Sequence, residues 1–215
     1  MNTIIFDFDG TLVASMPVWA DVMVDLLKRY NITYTNDVIT TITPLSIEET
    51  SEYFRDTLGV PLTASEIQKF IEDDMKIKYR TEVDPKPGVM TMLATLMGMG
   101  YRLCILTSTP HELFDGCVLK NNMSRYFDYV WSIEDFGVTK ANPEIYKLVA
   151  ERLNCTPQDI LFVDDNPVPL ECAKGVGMTT CCAFDECTAD IEQEMREKND
   201  YYVKSFKDFV RMITE

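Results

Sequence analysis

The chain has little histidine and no paired-cysteine motif. His111 is the single histidine in 215 residues, and none of the seven cysteines (Cys104, Cys117, Cys155, Cys172, Cys181, Cys182 and Cys187) forms a C-x-x-C. An odd count without metal-ligand spacing argues against a zinc site and a disulfide framework, and implies reduced thiols, most of them in or near the core, in a cytoplasmic protein. Positive charge is also scarce: 20 Lys and Arg face 35 Asp and Glu, for a formal net charge of −15. That balance argues against non-specific binding to nucleic acid or to an anionic membrane. No apolar run approaches the ~18 residues of a membrane span. No signal-peptide pattern, internal repeat or low-complexity tract is present.

What is present is an alternation of buried-type strands and amphipathic helices. The length, roughly 1.4 times a ~150-residue domain, suits one domain with a large insert or two small ones. It allows roughly 70% of the unfolded surface to be buried, so no covalent staple is required. Five short runs have the length and apolar character of parallel strands: Thr3–Phe8, Arg102–Thr107, Tyr129–Ser132, Ile160–Val163 and Thr179–Phe184. Helical patterns separate them from the second run onward, at Val89–Met99, Glu112–Asn122, Pro143–Leu153 and Pro167–Val176. The pattern predicts an α/β protein with a Rossmann-like parallel sheet of about five strands and helices on both faces. The methionines of Met90–Met99 read as helix core, and the acidic run Asp190–Glu197 as a solvated helix face.

The first and second strands are far apart in sequence, and the interval reads as helices: Pro17–Tyr30, Ser46–Leu58 and Ala64–Tyr79. Ser46 with Glu49, and Thr63 with Glu66, have capping-box spacing. Asp84-Pro85-Lys86-Pro87-Gly88 reads as a hinge-like return to the sheet. The expected organisation is a catalytic core of residues 1–15 and 87–215, with residues 16–86 inserted as a helical cap.

The chemistry is concentrated at strand ends. Asp7-Phe8-Asp9-Gly10-Thr11 follows the apolar Ile4-Ile5-Phe6, and two carboxylates in that position are costly unless a metal or a reaction needs them. Thr107 and Ser108 end the second strand, Lys140 follows the third, and Asp164 and Asp165 end the fourth. A parallel sheet brings all four segments to one edge, where open α/β sheets bind ligands. Asp7, Asp9, Asp164 and Asp165 together would raise some of one another's pKa values sharply. A hard divalent cation relieves that repulsion, and oxygen ligands favour Mg²⁺. With Lys140, the cation nearly balances the carboxylates. A phosphate would then be met by Mg²⁺, Lys140, the Thr107 hydroxyl and backbone N–H groups near Gly10, Thr107 and Ser108.

At these residues the chain resembles the haloacid dehalogenase superfamily. The likeness rests on Asp7–Thr11, Leu103-Cys104-Ile105-Leu106-Thr107-Ser108-Thr109, Lys140-Ala141-Asn142-Pro143-Glu144-Ile145-Tyr146, and Phe162-Val163-Asp164-Asp165 with Gly177-Met178 after it. The helical insert and Pro87-Gly88 resemble the branch that contains phosphoglycolate phosphatase and β-phosphoglucomutase. The tail Tyr201–Phe206 looks like the closing segment of phosphatase-like members. The resemblance implies that Asp7 is the nucleophile forming an aspartyl-phosphate, and that Asp9 is the general acid and then the general base. It further implies that Thr107 and Lys140 hold phosphate oxygens, with Lys140 also orienting Asp7. Mg²⁺ would be held by Asp7, the Asp9 backbone carbonyl and Asp165, with Asp164 direct or through water. Ala14 and Ala141 stand where family members often carry Asp and Pro, which bears on substrate fit more than on the core chemistry; Pro169 stands where some members carry a further Asp, for which the Asp164-Asp165 form of the fourth motif compensates.

The expected function is a Mg²⁺-dependent phosphatase, a monomer acting on a small phosphorylated metabolite. A sugar-phosphate mutase is the alternative, but that branch carries a histidine on the first cap helix where this chain has Trp19. Asp9 argues against a dehalogenase. A non-catalytic phosphate-binding protein would have lost a core residue, and none is missing. Cap motion is expected to close the site, with specificity in residues near 16–20, 44–50 and 75–80. His111 reads as a first-turn surface residue or a rim residue, Trp19 as a pocket-lining or packed aromatic, and Ser15 as a hinge, a helix cap or a contact to the leaving group.

Overall fold

The central strand segments suit the middle of the sheet because they are apolar on both faces. In the computed structural model, which describes residues 2–35, 37–42 and 45–215, Ile4, Ile5 and Phe6 of β1 (Thr3–Phe6) are fully buried. The same holds for Leu103–Leu106 within β2 (Arg102–Thr107) and for Ile160–Val163 within β4 (Ile160–Asp164). A strand buried on both faces suits the interior of a parallel sheet covered by helices. The remaining strands are β3 (Tyr129–Ser132), β5 (Thr179–Ala183) and β6 (Tyr201–Val203). Among the described residues they form one six-stranded parallel sheet in the order β3-β2-β1-β4-β5-β6. Register pairs Phe6 with Ile105 on one side and with Val163 on the other, so β1 sits where the strand order reverses.

The sixth strand extends the five-stranded expectation. β6 is only three residues long and lies at the sheet edge, too short for a periodic signal; it pairs with β5 from Cys181–Tyr201 to Ala183–Val203.

The chain divides into two compact units, Met1–Ala14 with Asp84–Glu215, and Ser15–Val83. In the first, α5 (Val89–Gly98), α6 (His111–Lys120), α7 (Glu144–Arg152), α8 (Pro167–Gly175), α9 (Glu192–Lys198) and α10 (Phe206–Thr214) surround the sheet. One core cluster joins Ile5, Leu106 and Phe162 to Tyr146 and Val149 of α7 and Leu170 of α8. Phe6 packs against Phe209 and Phe8 against Phe114, with ring centroids 5.7 and 5.2 Å apart. Of the methionines in Met90–Met99, Met92 is buried, whereas Met97 and Met99, the latter just past the end of α5, are exposed, so the helix-core reading holds for only part of that stretch. The acidic run after β5 is not one helix: a 3-10 turn over Glu186–Ile191 leads into α9, with Met195 buried. Cys104, Cys117, Cys181 and Cys182 are buried, Cys187 is exposed, and all seven cysteines are free thiols.

The second unit holds α1 (Met16–Arg29), α2 (Asp37–Ile42), α3 (Ile47–Asp56) and α4 (Ala64–Thr81). Both capping boxes form, with reciprocal bonds between Ser46 and Glu49 and between Thr63 and Glu66. Ile67, Ile71, Met75 and Tyr79 recur every fourth residue along α4, and all four are fully buried. Trp19 donates from Nε1 to the Tyr79 hydroxyl at 3.1 Å and meets its ring edge-on. Position 44, within the expected specificity segments, lies outside the described residues. No helix among the described residues is long and apolar enough to cross a membrane.

Candidate active site

Asp7 leaves β1 with its backbone N–H donating to the Val163 carbonyl at 2.8 Å, which holds it beside the end of β4. Its Oδ1 lies 2.5 Å from the Lys140 ammonium, and the same ammonium lies 2.8 Å from Oδ2 of Asp164. Lys140 comes from the loop after β3 and is held in place by Tyr146, whose buried hydroxyl donates to the Lys140 carbonyl at 2.8 Å. Asp164 accepts from the Asn166 N–H at 2.8 Å on its other oxygen. Asp165 accepts from the Thr11 hydroxyl at 3.0 Å, which ties the end of β4 to the loop after β1. Asp7, Lys140, Asp164 and Asp165 are all at least nine-tenths buried.

Asp9 faces a different set of partners. Its Oδ2 accepts from the Thr109 hydroxyl at 2.7 Å and more weakly from the Thr107 hydroxyl at 3.4 Å. It is also less buried than Asp7. Thr107 in turn accepts from the Thr109 N–H at 3.1 Å, so the turn after β2 is built around Asp9. Ser108 lies in that turn and is exposed. Gly10 has φ +74, and a Cβ built there would come 2.6 Å from Asp165 Oδ2. Only glycine combines that left-handed backbone with so close an approach to a carboxylate.

The electrostatics follow from burial. Desolvation pushes the Asp7 carboxyl well above the usual range; Lys140 pulls it down, while Asp164, Asp165 and Asp9 push it up again. Burial, with Asp164 and Asp185 adding to it, raises Asp165 to about 7 against the opposing pull of Lys140 and Lys86. Desolvation would lower the Lys140 pKa, but Asp164 and Asp7 more than offset it, so the ammonium stays charged. The cluster is short of positive charge. Asp7, Asp164 and Asp165 offer carboxylate oxygens within 4.8 Å of one another, a buried all-oxygen donor set that fits a hard divalent cation such as Mg²⁺.

The segments predicted from strand ends therefore converge: Asp7, Lys140, Asp164 and Asp165 form one group, and Asp9, Thr107 and Thr109 an adjoining one. Thr109, Thr11, Lys86 and Asp185 were not among the expected site residues. Thr109 had a sequence signal, since it lies in the same strand-end segment as Thr107. His111 begins α6, with Nδ1 3.1 Å from Asp115 and Nε2 2.9 Å from Asp135. Ser15 precedes α1, but its buried hydroxyl makes no capping bond and has no partner among the described residues. A cavity of about 720 Å³ opens at the opposite, amino-terminal edge of the sheet, between Tyr101, Arg102, Arg125 and Asp159; none of the site carboxylates lines it.

A parallel sheet with its reactive groups gathered at the carboxyl edge, next to the reversal of strand order, defines an α/β enzyme core. The chain belongs to the haloacid dehalogenase-like hydrolases, whose family model matches residues 4–183. It is similar to a phosphorylated carbohydrates phosphatase of Thermotoga maritima, 26% identical over 178 residues that cover 83% of this chain and 82% of the relative. It is also similar to a phosphoglycolate phosphatase of Aquifex aeolicus, 26% identical over 200 residues, covering 86% and 85%. Among solved structures, a Thermotoga maritima protein described as a candidate β-phosphoglucomutase shares the fold, with a TM-score of 0.85 at 23% identity over 100% of this chain and 99% of that one.

Proposed function

We propose that this hydrolase is a Mg²⁺-dependent phosphomonoesterase that acts on a small phosphorylated metabolite through an aspartyl-phosphate on Asp7. The observation that carries the reading is the division of labour between two carboxylates two residues apart. Asp7 is buried against Lys140 with no hydroxyl donor among its hydrogen bonds described above, whereas Asp9 is held by the hydroxyls of Thr109 and Thr107. One is suited to attack phosphorus and the other to move a proton.

In the first half-reaction an Asp7 carboxylate oxygen bonds to phosphorus as the bond to the leaving oxygen breaks. Asp9 gives its proton to that oxygen. In the second half-reaction Asp9 takes a proton from water, the water oxygen bonds to phosphorus, and the Asp7–phosphorus bond breaks to return free carboxylate and inorganic phosphate. Lys140 holds Asp7 and neutralises charge on the transferring phosphoryl group, assisted by the Thr107 hydroxyl and by N–H groups near Gly10 and Ser108. Asp7, the Asp9 carbonyl, Asp165 and Asp164 would hold Mg²⁺, which when bound supplies the positive charge that keeps the carboxylates ionised and withdraws electron density from the phosphate.

The core of 1–15 with 87–215 and a helical cap of 16–86 belong to the same proposal, with substrate choice assigned to the helical segment. Trp19 supports hydrolysis over mutase chemistry, since an indole cannot relay a proton and its N–H is engaged by Tyr79. The test is phosphate release from p-nitrophenyl phosphate with Mg²⁺ and with chelator, followed by a screen of phosphorylated metabolites. Mg²⁺-dependent release is expected. Isomerised sugar phosphate without free phosphate would replace the reading with a mutase.

A further inference from the structure

Lys86 lies in the Pro85-Lys86-Pro87 return segment, remote in sequence from every strand end. Its backbone is fixed on both sides: the N–H donates to the Leu12 carbonyl at 2.9 Å, and the carbonyl accepts from the Val89 N–H at 3.1 Å. The side chain, mostly buried, places its ammonium against three acceptors: the Gly10 carbonyl, the Phe184 carbonyl at 3.1 Å and the Asp185 carboxylate at 2.7 Å. An ammonium has three N–H donors, so this set satisfies it. Asp185 is fixed independently, through the Cys187 N–H at 2.9 Å. Phe184 is fixed by its N–H bond to the Val203 carbonyl at 2.9 Å. Two rigid anchors at the end of β5 therefore hold Lys86, and Lys86 holds Gly10.

Gly10 is the residue packed against Asp165, and the hydroxyl of its neighbour Thr11 bonds to the same carboxylate. We infer that Lys86 is a positioning residue for the proposed phosphoryl transfer, pinning the Gly10–Thr11 peptide so that the Asp9 carbonyl and the Asp165 carboxylate keep the spacing the metal requires. The inference rests on the phosphatase reading and deepens it. Charge alone makes the opposite prediction: a cation near the carboxylates disfavours a second cation, so its removal would tighten Mg²⁺ binding.

The test compares wild type with Lys86→Met, nearly isosteric and uncharged. Calorimetry measures the Mg²⁺ dissociation constant, and steady-state kinetics measure kcat and KM for p-nitrophenyl phosphate. Positioning predicts Mg²⁺ bound severalfold more weakly, kcat lowered about tenfold or more at saturating Mg²⁺, and KM within about twofold. Lys86→Gln, which restores N–H donors to the two carbonyls without charge, should recover part of both losses. Wild-type values in both variants, with only a lower melting temperature, would reduce Lys86 to a structural role and overturn the inference. Tighter Mg²⁺ binding with unchanged kcat would overturn it in favour of a pure charge effect. If Lys86→Met does not fold, Lys86→Gln decides: weaker Mg²⁺ binding supports positioning, and wild-type binding refutes it. Failure of the phosphatase reading is distinct, since wild type itself would then release no phosphate, whatever the Lys86 variants do to Mg²⁺ binding.

Discussion

The Lys140 ammonium lies 2.5 Å from Asp7 Oδ1, although the two residues come from loops after different strands and are 133 positions apart. The contact sets the direction of the Asp7 carboxylate and supplies the nearest fixed positive charge. Lys140→Met should lower kcat/KM by about 10²–10³, the scale of removing one preorganised charge donor from a phosphoryl site. The fold should survive, because of the two carboxyls left behind Asp7, already raised by burial, takes up a proton instead of staying charged, and Asp164 keeps its bond from the Asn166 N–H. Circular dichroism and steady-state kinetics on the same preparation check both parts.

Asp9→Asn keeps an oxygen to accept from Thr109 and so preserves the turn, but it cannot deliver a proton. The loss in kcat should be about 10²–10⁴, the range for general acid–base groups. It should be larger for an alkyl phosphate than for p-nitrophenyl phosphate, whose leaving group needs little protonation. Equal losses on the two esters would contradict the acid role.

Gly10→Ala puts a Cβ 2.6 Å from Asp165 Oδ2 at a residue with φ +74. The left-handed backbone alone costs about 1–2 kcal/mol for a residue with a side chain. The contact should also displace Asp165 and weaken Mg²⁺ binding. Thermal melts should show the first effect and calorimetric titration with Mg²⁺ the second.

Much of the site was legible because its groups lie at strand ends. Asp7, Thr107 and Asp164-Asp165 each follow an apolar run, and a parallel sheet places such ends on one edge. Lys140 was legible through its motif. Lys86 was not, because two of its three acceptors are backbone carbonyls, which leave no mark in the residue types, and its partners are 76 and 98 positions away. β6 was missed as a strand because three residues at a sheet edge show no period, and α2 because six residues make fewer than two helical turns.

His111 provides a pH test away from the carboxylate cluster. Burial lowers its pKa, but the hydrogen bonds its ring makes to the Asp135 and Asp115 carboxylates outweigh that and raise it above the unfolded value. The stabilisation is therefore fully present below about pH 6.5, the unfolded pKa, and is lost as pH rises through the higher folded pKa. The ring is about one-third exposed, at 34%, so the effect is that of a largely solvated ion pair. Wild type should lose at most about 2–4 °C of melting temperature across this window relative to His111→Gln, the scale of ~1 kcal/mol in a chain of this size. Melts at pH 5.5 and 8.5 check the sign: a gap that widens at the higher pH would refute it.

The central claim is that Asp7 carries the phosphoryl group. The direct measurement is mass spectrometry of wild type and Asp7→Asn, acid-quenched during turnover of a phosphate ester with Mg²⁺ and then digested. The account predicts one added phosphoryl group on the wild-type peptide containing Asp7, removed by hydroxylamine, and none on Asp7→Asn, which releases no phosphate. Phosphate release by Asp7→Asn at the wild-type rate, or a phosphoryl group on another residue, would contradict it.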